Sequence, residues 1–123
     1  METKSLADVI EKIKKAGKVD AALFAGAVAA MKAAFPNEDF AGAEHLIEQD
    51  PTEAVLSLVE EHLPNWTISL KGKAREADGE WTCTLRRSSS RDDDAVIGFG
   101  SGPTLSLAVL AAVLKASQLR AEP

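Results

Sequence analysis

Hydrophobic residues in the first half of the chain recur at the spacing of amphipathic helices. A first helix is predicted before Gly17, and its apolar face is formed by Leu6, Val9, Ile10 and Ile13. Asp20 can cap a second, alanine-rich helix that runs to about Phe35, because Pro36 prevents its continuation. A weaker helical pattern follows from Asn37 to Gln49.

In the second half of the chain the hydrophobic spacing changes from helical to alternating. Asp50-Pro51-Thr52 begins a further predicted helix, whose apolar positions are Ala54, Val55, Leu58, Val59 and Leu63. Strands are predicted at 66–71 and 81–86, separated by the hairpin-type turn Asp78-Gly79. Hydrophobic residues take alternate positions in both strands, which predicts one buried and one solvated sheet face. The residues predicted on the buried face are Trp66, Ile68, Leu70, Trp81, Cys83 and Leu85.

A polar loop from Arg87 to Asp94 leads to a third predicted strand, Ala95 to Phe99. Gly98 to Pro103 is interpreted as a glycine-rich turn into a last helix, Thr104 to Leu119. This order predicts the α+β class: N-terminal helices are followed by an α-β-β-β-α arrangement whose three-stranded antiparallel sheet packs on helices.

The 123 residues, 46% hydrophobic and 27% charged, fit one globular domain. We expect a single domain at 1–123, with a helical part at 1–49 and an α-β-β-β-α part at 50–119. The longest apolar run, Ala21 to Met31, is shorter than the roughly 20 residues of a membrane span. Because a secretory signal is absent and Cys83 is the only cysteine, we expect a cytoplasmic protein without membrane association.

The last predicted helix has almost no polar side. Between Leu105 and Ala116 only Ser106 and Lys115 are polar, whereas a helix on a sheet normally keeps a polar stripe towards water. The helix therefore needs cover on a second side, from the N-terminal helices or from a second copy of the chain. Because closed two-fold dimers are the commonest way to bury such a face, we expect a homodimer.

Residues that could carry chemistry do not form a recognised site pattern. The run Gly98-Phe99-Gly100-Ser101-Gly102 fails the dinucleotide fingerprint, because Pro103 stands at the third glycine position. His45 and His62 lack metal-ligand spacing and are interpreted as solvated helix residues, and Cys83 is expected in the core. We therefore expect no catalytic residue, no cofactor, no metal site and no enzymatic activity.

Arginines near the second predicted strand are the candidate interaction residues: Arg86, Arg87 and Arg91. Asp92 to Asp94 neutralise this patch, and the net charge of −5 repels phosphate groups. The α-β-β-β-α order is similar in outline to a double-stranded-RNA-binding domain, a family that holds phosphates with lysines at the start of its last helix. In this chain no lysine precedes Lys115 in that helix, so nucleic acid is an unlikely partner.

A closer resemblance is to the phage ABA-sandwich domain, a family of small phage and prophage proteins. It covers about residues 50–118 and is carried by Glu53–Val59, Asn65–Leu70, Gly79–Thr82, Gly100–Ala108 and Ala111–Ala116. The resemblance implies a fold and a phage-related origin, and it implies no activity and no site residue.

Two function classes follow from the sequence. The leading hypothesis is a small, non-enzymatic α+β module of phage or prophage type that acts by protein–protein contact. The alternative is a weak nucleic-acid-binding module that uses the arginines with the polar face of the sheet. The two classes differ in where positive charge gathers on the folded surface.

Overall fold

The computed structural model describes residues 6–63, 66–72, 81–87 and 97–121. Within these ranges the helices are α1 (Leu6–Lys15), α2 (Ala21–Ala34), α3 (Ala41–Leu46), α4 (Pro51–His62) and α5 (Leu105–Ala121). The strands are β1 (Trp66–Lys71), β2 (Trp81–Arg87) and β3 (Ile97–Gly102). The α+β class and the α-β-β-β-α order are confirmed.

Side-chain caps fix the starts of three helices. The carboxylate of Asp20 accepts a hydrogen bond from the Leu23 amide at 2.8 Å, and that of Asp50 accepts bonds from two amides in the first turn of α4. At the start of α5, Oγ1 of Thr104 accepts a hydrogen bond from the Leu107 amide at 3.2 Å. The cap predicted at Asp20 is confirmed, and the helix predicted to begin at Asp50-Pro51-Thr52 is capped by Asp50.

The sheet is an antiparallel meander in the order β1-β2-β3. Residues directly opposite each other share a face, and two rows cross the helix-covered side: Ile68, Leu85 and Gly98, then Leu70, Cys83 and Gly100. Cys83 and Leu85 are fully buried, so the strand phase predicted for β2 and the core position of Cys83 are confirmed. Leu70, near the end of β1, is 37% exposed, so its predicted burial is wrong.

The third strand extends further along the chain than predicted. Residues 98–102 belong to β3 and pair with β2, so the turn expected over Gly98 to Pro103 is wrong for all but its end. The expected strand began at Ala95, and the part of it before Ile97 lies outside the described residues. Glycine has a low strand propensity, which is why this segment resembles a turn when only local sequence is considered.

Close contact between β3 and α5 explains the glycines. A Cβ atom on Gly98 would lie 2.6 Å from the carbonyl oxygen of Ala112, and one on Gly100 would lie 2.4 Å from the Ala112 amide nitrogen. Both distances are too short for a real side chain, so glycine is needed at both positions. On the helix side the contact is made by small, fully buried residues at a four-residue spacing: Ala108, Ala112 and Ala116.

Helix α5 lies between the sheet and the other helices. It packs on β2 and β3 and also contacts α1, α2 and α4. Its polar-poor stretch is buried almost throughout, from Leu107 to Leu114. Helices of the same chain thus supply the second cover that this sequence requires. The homodimer stays a prediction, and the burial of α5 does not argue for it.

The two tryptophans lie at the margin of the core. Trp66 and Trp81 are in the apolar phase of their strands, as predicted, but both are only half-buried. The Trp81 ring lies over the backbone of Gly72, where a Cβ atom would be 2.4 Å from the ring. The two side chains therefore close the edge of the apolar layer while the aliphatic residues of α5 fill its centre.

Candidate functional site

The sheet face that points away from α5 carries the polar phase of the strands, and we call it the open face. Three rows of opposed residues form it: Thr67, Arg86 and Ile97; Ser69, Thr84 and Phe99; Lys71, Thr82 and Ser101. All of its described side chains are exposed or half-buried. The prediction that this face is solvated is confirmed for these side chains.

The open face differs in charge from the chain as a whole. Its described positions carry hydroxyl side chains from threonine and serine, together with the cations Lys71 and Arg86. None of these positions is acidic, whereas the whole chain has a net charge of −5. The face is therefore a basic surface on an acidic protein and attracts anionic groups.

An aromatic ring stands in the middle row of the open face. Phe99 is 57% exposed, with Thr84 directly opposite it and Ser101 two residues along the same strand. A large exposed apolar side chain with a polar rim is typical of a surface that a partner covers. Sequence reasoning placed Phe99 in a strand without giving it a role. The signal was the glycines at 98 and 100, because they give one face of the strand no side chains and place Phe99 on the opposite face.

The predicted arginine cluster is described only in part. Arg86 lies on the open face in the row of Thr67. Arg87 is the next residue along β2 and is in register with Trp66, and its side chain is not among the described ones. Arg91 lies outside the described residues. The cluster stays a prediction, and the cations described on the open face are Lys71 and Arg86.

His62 is buried, which corrects its interpretation as a solvated helix residue. Its Nδ1 donates a hydrogen bond to Oε1 of Glu38 at 2.7 Å, and its ring stacks on Phe40 with 4.1 Å between centroids. The side chain is 4% exposed. Through these contacts, the segment that connects α2 and α3 packs on the C-terminal end of α4. His45, in contrast, is exposed as predicted.

The described residues offer little that could drive a reaction. Burial raises the pKa of the Cys83 thiol to about 11, so the group stays protonated and unreactive at neutral pH. Within the described ranges, no three residues among His, Cys, Asp and Glu come together in a way that could hold a metal ion. The expected lack of catalytic, cofactor and metal sites stays a prediction for the chain as a whole.

A groove with a volume of about 790 Å³ lies between α1 and α2. Small and apolar residues form most of its walls, and its charged residues are Lys12, Lys18 and Asp20. The Asp20 carboxylate is already engaged as the cap of α2. No nucleophile with a neighbouring base lines the groove among the described residues, so its geometry does not support an active site.

No family model, curated protein or solved structure matches this chain. The resemblances to phage ABA-sandwich domains and to double-stranded-RNA-binding domains therefore stay predictions. No described helix combines the length and the hydropathy needed to cross a bilayer.

Proposed function

We propose that the protein is a non-enzymatic protein-interaction module that binds its partner through the open face of the sheet. The observation that carries the proposal is Phe99, 57% exposed at the middle of a polar and cationic surface. Protein interfaces commonly combine an apolar centre with a polar rim, and aromatic residues and arginine dominate their binding energy. Phe99 and Arg86 supply both residue types.

The charge of the open face indicates the kind of partner. Lys71 and Arg86 are complementary to an acidic protein surface. A homodimer, also part of the proposal, would have to use another surface, because a two-fold contact of the open face would bring like charges together. The phage or prophage origin and the cytoplasmic location belong to the same proposal and are supported by the sequence patterns alone.

Comparative capture tests the proposal. Tagged wild-type protein is used to capture proteins from a lysate of the source cell, and the variants Phe99→Ser and Arg86→Glu are used in parallel. Quantitative mass spectrometry compares the captured proteins. We expect at least one protein to be captured by the wild type and lost with both variants. Lys15→Glu changes an exposed charge on α1 and serves as the control that keeps the partner. Capture that is unchanged by both open-face substitutions would contradict the proposal.

A nucleic-acid-binding module is the second candidate, because the open face also has the composition of a stacking surface for single strands. Such surfaces combine aromatic rings with cations, and Phe99, Lys71 and Arg86 fit that description. Known platforms of this type stack two or three bases on aromatic residues, whereas the described face has one aromatic ring. The acidic total charge also weakens the attraction, so the protein partner is favoured.

A further inference from the structure

Strand β3 forms an edge of the sheet and has β2 as its neighbour on one side. In an antiparallel ladder, alternate residues direct their N–H and C=O groups to opposite sides, so about half of these groups in β3 point outwards. In the described part of the chain, backbone hydrogen bonds of β3 run to β2, and no turn or loop bonds to its outer side. This edge can accept another strand.

A small groove lies along the same edge. It has a volume of about 280 Å³, and its described lining comes from α1, β3 and α5. Because no residue of β2 lines it, the groove lies on the free side of β3. Its described apolar lining includes Ile10, Phe99 and Ala111, which are half-buried or exposed, and Ile13, which is only 2% exposed. A strand added to β3 would place alternate side chains into this groove.

Among the described residues that line the groove, the charged ones are two lysines. Lys14 belongs to α1 and Lys115 to α5, so they stand on the two helices that flank the groove. Lys14 contacts Glu11 at 3.1 Å and Lys115 contacts Gln118 at 3.3 Å, and both contacts are exposed. Exposed contacts of this kind are weak, so both ammonium groups can turn towards a ligand.

We propose that an acidic peptide segment of a partner protein adds to β3 as a fourth strand, with its alternate side chains in this groove. The inference rests on the proposed function, because it names the binding mode and the chemistry of the protein partner. Main-chain hydrogen bonds to β3 supply affinity, and the groove supplies specificity. Apolar side chains of the segment contact Ile10 and Ala111, while its carboxylates pair with Lys14 and Lys115.

Two other occupants fit the groove less well. A nucleic-acid strand would satisfy the lysines, but it lacks the alternating N–H and C=O groups that continue a β-ladder. A second copy of β3, added about a two-fold axis, would bring Lys14 and Lys115 of both chains together, and like charges oppose this contact. An acidic extended peptide satisfies the ladder, the apolar lining and the charges together.

A displayed library of random peptides tests the inference. The full chain is used to select peptides of about ten residues, the upper end of ordinary strand length. The enriched peptides are synthesised, and their affinity is measured by fluorescence anisotropy. We expect sequences in which acidic and hydrophobic residues alternate, and we expect them to shift the amide NMR resonances of β3.

Charge reversal locates the bound peptide. The double variant Lys14→Glu with Lys115→Glu should weaken binding about tenfold, because two exposed ion pairs are replaced by repulsion. Lys15→Glu reverses an exposed charge on α1 that does not line the groove, and it should leave the affinity unchanged. Circular dichroism confirms that the variants keep the wild-type helix content.

The remaining outcomes separate the inference from the proposed function. Peptides that are insensitive to the double variant but weakened by Lys71→Glu would overturn docking at the β3 edge and leave the open-face proposal standing. Enriched peptides without acidic residues would overturn the stated chemistry. Failure to enrich any peptide would overturn docking at the β3 edge and leave the open-face proposal to the capture experiment. Tighter binding of single-stranded oligonucleotides than of peptides would overturn both proposals.

Discussion

Gly100 lies where the backbone of β3 approaches α5 closely. An alanine there would place its Cβ atom 2.4 Å from the amide nitrogen of Ala112, so the strand and the helix would have to move apart. We expect Gly100→Ala to lower the free energy of unfolding by about 1–3 kcal/mol, the usual cost of overpacking. Urea denaturation followed by circular dichroism measures this change.

Gly26 provides the matched control for that substitution. It lies inside α2, and a Cβ atom at this position would meet nothing within 4 Å. Because alanine is a better helix former than glycine by about 1 kcal/mol, Gly26→Ala should be at least as stable as the wild type. A Gly100→Ala variant with wild-type stability would show that β3 and α5 are not in close contact.

Burial of Cys83 gives the stability of the protein a pH dependence in the alkaline range. Burial raises the pKa of the thiol from 9.0 to about 11. As the pH rises, the unfolded chain loses its thiol proton first, so the free energy of unfolding contributed by this group is complete below pH 9.0 and falls towards pH 11. Denaturant titrations across this window should show a shallower fall for Cys83→Ala than for the wild type. Parallel falls in the two proteins would contradict the burial of the thiol.

Leu110 lies at the centre of the core and Trp81 lies at its margin, so alanine substitutions at these positions should differ in their cost in unfolding free energy. Leu110 is fully buried in α5, so Leu110→Ala should cost about 2–5 kcal/mol of unfolding free energy. Trp81 is half-buried over Gly72, and Trp81→Ala should cost less than the roughly 3–5 kcal/mol of a fully buried tryptophan. Chemical denaturation ranks the two variants. A larger loss for Trp81→Ala than for Leu110→Ala would contradict the central position of α5.

Local patterns are sufficient to predict most elements, but they do not predict the contacts between elements. Asp20 and Asp50 act within a single turn, and for this reason the starts of α2 and α4 are predictable. The end of β3 at Gly102 depends on contact with α5, which no local propensity contains. The burial of His62 likewise depends on Glu38, which lies 24 residues away in the sequence.

Only part of the candidate site could be predicted from the sequence. The polar phase of β1 and β2 predicted a solvated sheet face, and Arg86 lies on it. Phe99 and the groove at the β3 edge were not predicted. The groove is built from α1, β3 and α5, so it exists only when these distant segments pack together.

The acidic net charge predicts poor binding of nucleic acids. With a net charge of −5, the long-range field of the whole protein repels phosphate, and Lys71 and Arg86 are the cations described on the open face. We expect no useful affinity for duplex or single-stranded oligonucleotides at about 0.15 M salt. Anisotropy titrations at several salt concentrations measure it. Sub-micromolar binding whose logarithm falls linearly with the logarithm of the salt concentration would favour the nucleic-acid module instead.

The oligomeric state is a property of the whole molecule that one measurement decides. A homodimer would have twice the 13.0 kDa mass of the chain. Light scattering behind size exclusion at micromolar concentrations should give this doubled mass, and Lys71→Glu should leave it unchanged because the open face is not the expected dimer surface. A mass of 13.0 kDa across a wide dilution range would show a monomer.

The position of α5 has a consequence for how the protein unfolds. In the described part of the chain, the extensive contacts between helices and strands are those of α5 with β2 and β3. Because α4 and β2 both pack on α5, they lose this shared apolar contact once α5 detaches, whereas α1 and α2, and likewise α3 and α4, also contact each other directly. Slowly exchanging amide protons in α4, α5 and β2 should then be released together in one global event, because α4 and β2 both depend on contact with α5.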